Sequence, residues 1–295
     1  MKIQIYIASF CLFLCSMASC SRLDLVGMFN GTSPTIDERF EVSQQYNTKH
    51  GFVTLLAPRE NYHVYVCTDT HIADTRNCWE NFIDTYRADS LCPVAVHLGD
   101  IIDAKTDFQY VQDALSRVSG RSSRAKDTLM AVAGNHDIYF SQWEDFIAAF
   151  KTSTYYFIVE TPSGARDLYV VYDSADGTVG SKQLKWLENT LQWASRQGFR
   201  HIVGCTHTHL FKRDGSQGHT SNFTLEETYA LLDLLTRYGV QMVWSGHDHV
   251  REITRVKGMT CIVVDSMKDE YKNPGYMLVT MGNNIIYDFI SITKH

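Results

Sequence analysis

The chain has 295 residues, with 33 acidic and 27 basic side chains and a formal net charge of −6. That length holds one large domain or two small ones, and the 44% apolar and 20% charged content is that of an ordinary soluble globular protein. The acidic balance and the lack of a long basic run argue against non-specific polyanion binding as the main role.

The first predicted element is an export signal. Lys2 precedes an apolar stretch from Ile3 to Met17 that is short for spanning a bilayer. It ends in Met17-Ala18-Ser19-Cys20, which resembles the lipobox of bacterial lipoproteins, with Met17 where leucine is usual. Residues 1–19 therefore read as a signal peptide and Cys20 as a lipidation site. An exported protein anchored to a membrane and facing the periplasm or cell exterior is the expectation. Residues 20–50 are polar, contain Gly31 and Pro34, and read as a tether. Residues 51–295 show no linker and no repeat, and read as one domain. Cys67, Cys78, Cys92, Cys205 and Cys261 are odd in number and show no paired framework; Cys67 and Cys205 lie on core strands, lack C-x-x-C spacing and read as buried thiols.

Within the domain, five apolar runs each end in a cluster of Asp, Asn or His. His63–Cys67 leads into Asp69 and His71. Val94–Leu98 leads into Gly99, Asp100 and Asp103. Leu129–Val132 leads into Gly134, Asn135, His136 and Asp137. His201–Cys205 is followed by His207, and Val240–Trp244 by Gly246, His247, Asp248 and His249. Buried strands of an open α/β sheet deliver their carboxyl-terminal ends to one crevice, where ligands bind. Gly99, Gly134 and Gly246 precede donors where the chain turns sharply off a strand.

Helical patterns alternate with these strands. Trp79, Phe82, Ile83 and Tyr86 share a face, as do Phe108, Val111, Leu115 and Val118, and Trp143, Phe146, Ile147 and Phe150. Ser181 reads as the N-cap of a helix bearing Leu184, Leu187 and Leu191. Thr224 with Glu227 reads as a capping box, and Gly239 closes that helix. Thr260–Val264, Tyr276–Val279 and Ile285–Phe289 read as terminal strands. The sum predicts an α/β fold of two packed mixed β-sheets flanked by helices, an αββα sandwich.

Asp69 and Asp100 offer carboxylates, Asn135 a carbonyl oxygen, and His71, His207, His247 and His249 imidazole nitrogens. These seven donors exceed the roughly four that one zinc ion takes and suit two divalent ions sharing a carboxylate. The order Asp-x-His, Gly-Asp-x-x-Asp, Gly-Asn-His-Asp, a lone His and Gly-His-x-His resembles the calcineurin-like metallophosphoesterase superfamily, over about Asp69 to His249. The resemblance implies a hydrolase of phosphomonoesters or phosphodiesters whose nucleophile is a hydroxide bridging two ions, with Mn, Fe or Zn expected. It implies that Asp69, His71 and His249 hold one ion, that Asn135, His207 and His247 hold the other, and that Asp100 bridges them. It further implies that His136 is the catalytic histidine and that Asp103 orients it.

Other residues have simpler readings. His63, His97 and His201 lie in strands and read as structural. Asp137 and Asp248 read as turn or supporting residues, His209 as a pocket or surface neighbour of His207, and Lys212–His219 as a solvated loop. Ala104 and Lys105 stand where protein serine/threonine phosphatases have Arg-Gly, and Asp103 where purple acid phosphatases have a tyrosine ligand. Phe211 and Lys212 break a metallo-β-lactamase-like motif beginning at His207. The expected partner is a small phosphoester rather than nucleic acid. The alternatives are a non-catalytic, membrane-tethered metal or phosphate binder on the same fold, or a nuclease.

Overall fold

The computed structural model describes residues 33–73, 75–103, 107–111, 129–211 and 223–292. The signal peptide, Cys20, Ala104, Lys105, Leu115, Val118 and the Lys212–His219 stretch lie outside them. In chain order the elements are α1 (Ile36–His50), β1 (Val53–Leu56), β2 (Tyr62–Cys67), α2 (Asn77–Ala88), β3 (Val94–His97) and β4 (Leu129–Ala131). There follow α3 (Trp143–Phe150), β5 (Tyr155–Glu160), β6 (Arg166–Val171), α4 (Ser181–Ala194), β7 (His201–Cys205) and α5 (Leu225–Arg237). The last are β8 (Met242–Ser245), β9 (Glu252–Val256), β10 (Met259–Val263), β11 (Gly275–Met281) and β12 (Ile285–Ser291).

The two-residue period of the strands divides their side chains between cores. Val64 and Val66 of β2 enter one cluster, whereas Tyr65 and Cys67 enter another. The first cluster also takes Val94, Val96, Phe157, Val203 and Trp244, so it lies between two sheets. The second joins Tyr65 and Ala95 to Trp79, Phe82, Trp143 and Phe146, which packs α2 and α3 on the outer face of one sheet. A third joins Leu168, Val170 and Ile202 to Leu187, Leu191, Leu231 and Leu235, which packs α4 and α5 on the other. Burial of each such side chain contributes about 1.5–3 kcal/mol. The result is the four-layer sandwich anticipated from the sequence.

Both sheets are mixed. One has the order β1-β5-β6-β7-β8-β10-β9, and the other β12-β11-β2-β3-β4. Strands β2, β3 and β4 run parallel, as do β6, β7, β8 and β10. The five strands that precede donor clusters are therefore β2, β3 and β4 of one sheet and β7 and β8 of the other.

Residues 20–50 are not a tether throughout. Residues 36–50 form helix α1, opened by a reciprocal capping box between Thr35 and Glu38. Its buried stripe is Ile36, Arg39, Ser43 and Asn47, helical in spacing but mostly polar, so hydrophobic periodicity does not reveal it. Arg39 donates to both oxygens of Asp173, at 2.9 and 3.1 Å, and reaches Asp176 at 2.7 Å. Ser43 meets Ser153, and Asn47 donates to the Thr154 carbonyl at 2.7 Å.

The caps differ from the sequence reading in two places. Ser181 is the first residue of α4, after an N-cap at Gly180, and Asp37 of α1 accepts from Lys182 N at 3.3 Å. Thr224 caps α5 as expected, but Glu227 turns away to accept from Val179 N at 2.8 Å and Thr178 Oγ1 at 3.0 Å. The five cysteines of the domain are buried and form no disulfide among the described residues. Among the described residues no helix is long and apolar enough to cross a membrane.

Replacing Arg39 would leave Asp173 and Asp176 buried without their cation. Breaking a buried pair from one side costs about 3–5 kcal/mol. Urea unfolding of Arg39→Met is expected to show that loss, and a stability equal to wild type would remove this network from the account of how α1 docks.

Candidate metal centre

Five of the seven candidate ligands sit in left-handed backbone, with φ of 49° at Asp69, 42° at His71, 54° at Asp100, 71° at His247 and 59° at His249. Such non-glycine conformations cost of order 1–3 kcal/mol each and persist only where the surroundings impose them. Here the turns lock to one another. Asp69 N donates to the Gly99 carbonyl at 3.0 Å, His71 N to the Asp100 carbonyl at 3.1 Å, and Gly246 N to the His207 carbonyl at 2.9 Å. Gly99 takes a positive φ of 96°, as expected of a sharp turn. Gly134 and Gly246 serve another purpose. A methyl group at Gly134 would overlap Asp100, and one at Gly246 would overlap Thr68 and Asp69, so both glycines permit close approach.

Each carboxylate is held by one oxygen and offers the other. Asp69 Oδ2 accepts from Thr68 Oγ1 at 2.6 Å and His247 N at 2.9 Å, while buried Oδ1 has no hydrogen bond. Asp100 Oδ1 accepts from His136 N at 2.8 Å, and Oδ2 faces His207 Nε2 at 3.4 Å and His71 Nε2 at 3.8 Å. Among the described residues, two groups of possible metal ligands share Asp100: Asp69, His71, Asp100 and His249 form the first, and Asp100, His207 and His247 the second. His71, Asp103 and His136 form a third cluster, outside this pair. Asn135 Oδ1 joins the second group, 3.1 Å from His207 Nε2 and 3.0 Å from His247 Nδ1.

The donor chemistry fits cations. His207 Nδ1 donates to the Leu98 carbonyl at 2.8 Å. A neutral His207 therefore turns the lone pair of Nε2 toward Asn135 Oδ1 and Asp100 Oδ2, which are both acceptors. A proton or a metal ion relieves this conflict. The separations also fit, because donors sharing one ion at about 2.1 Å stand roughly 3.0–3.4 Å apart. Asp69 Oδ1 and His71 Nε2 each lie 3.2 Å from His249 Nε2, and His247 Nδ1 lies 3.2 Å from His207 Nε2.

Electrostatics without an ion follow from the same contacts. Burial pulls the His207 pKa down, but Asp100 and Asp69 outweigh it and push it up to about 10. Burial opposes ionisation of Asp69, which His249 and His207 nevertheless hold at about 2. Burial and the neighbouring His207 lower His247 to about 4. Asp137, fully buried, accepts from the backbone N–H groups of Asp100, Ile101 and Gly134, each at 2.9 Å, and so fixes the turns that carry Asp100 and Asn135. Burial and the Asp100 charge push it up to about 7.

Asp103 departs from its sequence reading. Its Oδ1 lies 2.9 Å from His71 Nδ1 but 3.8 Å from His136 Nδ1, so its closer tie is to His71. Its Oδ2 pairs with Lys268 Nζ at 3.0 Å. His71 and Lys268 together hold it well below the usual carboxylate range. His136 stands beside His71, ring centroids 4.6 Å apart, with its side chain 42% exposed at the mouth of the centre. His209 is buried, 3.7 Å from Asp248, and belongs to neither group. His63, His97 and His201 are structural: His63 pairs with Asp89, His97 with Thr70, and His201 with Gln241 and Gly282. Sequence reasoning missed Lys268 and Tyr271, whose hydroxyl lies 2.8 Å from His249 Nδ1. Both follow β10 in a run without a recognisable motif, and only their place after a strand of the site-bearing sheet signals them.

Fold and donor set together define an α/β protein with two adjoining clusters of candidate cation ligands at its strand ends. The sequence matches the calcineurin-like phosphoesterase family over residues 62–251, and the chain belongs to that family. No curated protein matches it. Among solved structures it is similar to a dimetal phosphatase from Danio rerio, at 14% identity and a TM-score of 0.58, covering 79% of this chain and 98% of that one. It is also similar to a purple acid phosphatase from yellow lupin seeds, at 13% identity and a TM-score of 0.60, over 79% of this chain and 52% of that one. A third is the anchor in the inner membrane complex of Plasmodium, at 16% identity and a TM-score of 0.54, over 79% and 85%.

The pH behaviour has a definite sign. The folded pKa of His207, about 10, lies above its ordinary 6.5. Its proton therefore stabilises the ion-free chain fully below about pH 6.5, and that contribution vanishes as pH rises through about 10. A metal competes for the same nitrogen, so ion uptake near neutral pH is expected to release at least one proton per chain. Calorimetric heats of Zn(II) binding should then vary with buffer ionisation enthalpy, and buffer-independent heats would contradict the assignment.

Proposed function

We propose that the protein is a metal-dependent phosphoesterase that hydrolyses small phosphoesters at a two-ion centre. The observation that carries this reading is Asp100 Oδ2, turned toward imidazoles of both ligand groups at 3.4 and 3.8 Å. Asp69, His71 and His249 would hold one ion, Asn135, His207 and His247 the other, and Asp100 both. The ions, when bound, supply Lewis-acid charge for the phosphoryl oxygens and acidify a water toward neutral pH. The similarity in fold to a dimetal phosphatase and to a purple acid phosphatase supports that chemistry.

The chain's own residues supply binding and proton transfer. With two divalent ions, Asp69 and Asp100 leave the centre positive, which attracts a phosphate and balances charge that grows in the transition state. His136 is the exposed imidazole at the mouth, placed to contact the phosphoryl group and give a proton to the leaving oxygen. Burial and the neighbouring His71 hold its pKa below the ordinary value despite Asp100 and Asp103; an arriving phosphate favours its charged form. Asp103 steadies both His71 and His136. Export and lipidation at Cys20 complete the proposal, setting the enzyme at a membrane surface with access to exported or environmental esters. A protein of similar fold is the anchor in the inner membrane complex of Plasmodium, and the assay that follows also decides the non-catalytic alternative.

An aryl phosphate monoester and its diester analogue, assayed with and without chelator, test the reading. Chelator-sensitive turnover of at least one is expected, and His136→Ala is expected to keep its metal while losing about 10²–10⁴-fold in turnover. A metal-replete wild type inert toward both esters would make this chain a binder. Unchanged turnover in the variant would remove His136 from the mechanism.

A further inference from the structure

Residues 265–271, between β10 and β11, wrap the first ligand group, although none of the five motifs includes them. Ser266 Oγ donates to the Asp69 carbonyl at 2.8 Å, and Met267 N to the Thr68 carbonyl at 3.0 Å. Lys268 Nζ pairs with Asp103 Oδ2, whose other oxygen receives His71 Nδ1–H. The Tyr271 hydroxyl meets His249 Nδ1 at 2.8 Å, and the two rings sit edge to face, centroids 5.4 Å apart. Both ends of the run are tied down. Asp265 takes three hydrogen bonds from Arg251, and Asp269 accepts from the backbone N–H groups of Asn77 and Cys78 at 2.8 and 2.7 Å, capping α2.

We propose that this run is a strap that holds the first ligand group in register, with Lys268 and Tyr271 as its positioning residues. The argument rests on reading the centre as a pair of cation sites. A metal-binding imidazole needs its second nitrogen engaged, which fixes tautomer and ring orientation and raises basicity. In the first group both such partners depend on the strap, because Tyr271 engages His249 and Lys268 steadies the Asp103 that engages His71. In the second group His207 Nδ1 is engaged by the Leu98 carbonyl, a backbone atom at the end of β3, and the buried Nε2 of His247 has no hydrogen bond, so neither imidazole leans on the strap. His249 needs its partner most, since its side chain is 27% exposed and its backbone is left-handed. The strap thus makes the two ion positions unequal. Cation binding at the first depends on two side chains that are not ligands, and binding at the second does not.

The test isolates each position. His247→Ala disables the second group and His249→Ala the first, and Zn(II) affinity is measured in each background by competition with a chromophoric chelator. In the His247→Ala background, Tyr271→Phe and Lys268→Met are each expected to weaken Zn(II) by about 10–100-fold, and Lys268→Arg to restore most of it. In the His249→Ala background the same substitutions should leave affinity unchanged. Equal losses in both backgrounds, or none in either, would overturn the strap. A wild-type chain that takes up no Zn(II) would instead overturn the two-ion reading on which it rests. Tyr271→Phe keeps ring and volume, so its effect is separable from misfolding.

Discussion

Everything at the centre of this protein follows from acceptors made to face acceptors. The Leu98 carbonyl fixes the His207 tautomer, and the freed lone pair then points at the Asn135 and Asp100 oxygens. Asp69 adds a buried oxygen with no hydrogen bond. Inside a folded core such an arrangement is strongly unfavourable unless positive charge enters it. Protons relieve part of the conflict, as the raised His207 pKa shows. Two cations would relieve all of it, because each carboxylate has already committed its other oxygen to protein donors.

Holding so many ligands together requires backbone that few side chains adopt. Five ligands in left-handed turns represent stored strain, and the fold tolerates it because those turns hydrogen-bond to one another across the ends of β2, β3, β7 and β8. Three apolar cores hold the strands rigid beneath them. Gly134 and Gly246 let the turns interlock, and Asp137 gathers three backbone N–H groups under Asp100 and Asn135. The contribution of the scaffold to function is thus geometric: it keeps a charge-hungry cluster assembled at the mouth of two packed sheets.

Much of this was legible in the sequence for a specific reason. Parallel strands bring their ends together, so donor clusters after apolar runs report a common site without any knowledge of loops. That logic found the ligands after β2, β3, β4, β7 and β8. It was blind where burial is polar. Helix α1 presents Arg39, Ser43 and Asn47 to the core, a pattern that reads as a solvated tether. Strand β5 carries no donor motif at its end, and the Asp173 and Asp176 that follow β6 are taken by Arg39 rather than by the centre; neither strand is among the five runs read from the sequence. That Asp103 lies closer to His71 than to His136 depends on side-chain reach across the site, which spacing does not encode. Lys268 and Tyr271 arrive from a connection with no motif, and only the three-dimensional path of that connection reveals their contact with the ligands.

The central claim is that two cations share Asp100. Anomalous X-ray scattering from crystals grown with Mn(II) or Zn(II) tests it most directly. The account predicts two peaks flanking Asp100 Oδ2, roughly 3.5–4 Å apart, one among Asp69, His71 and His249 and the other among Asn135, His207 and His247. A single peak remote from Asp100, or none at saturating metal, would contradict it.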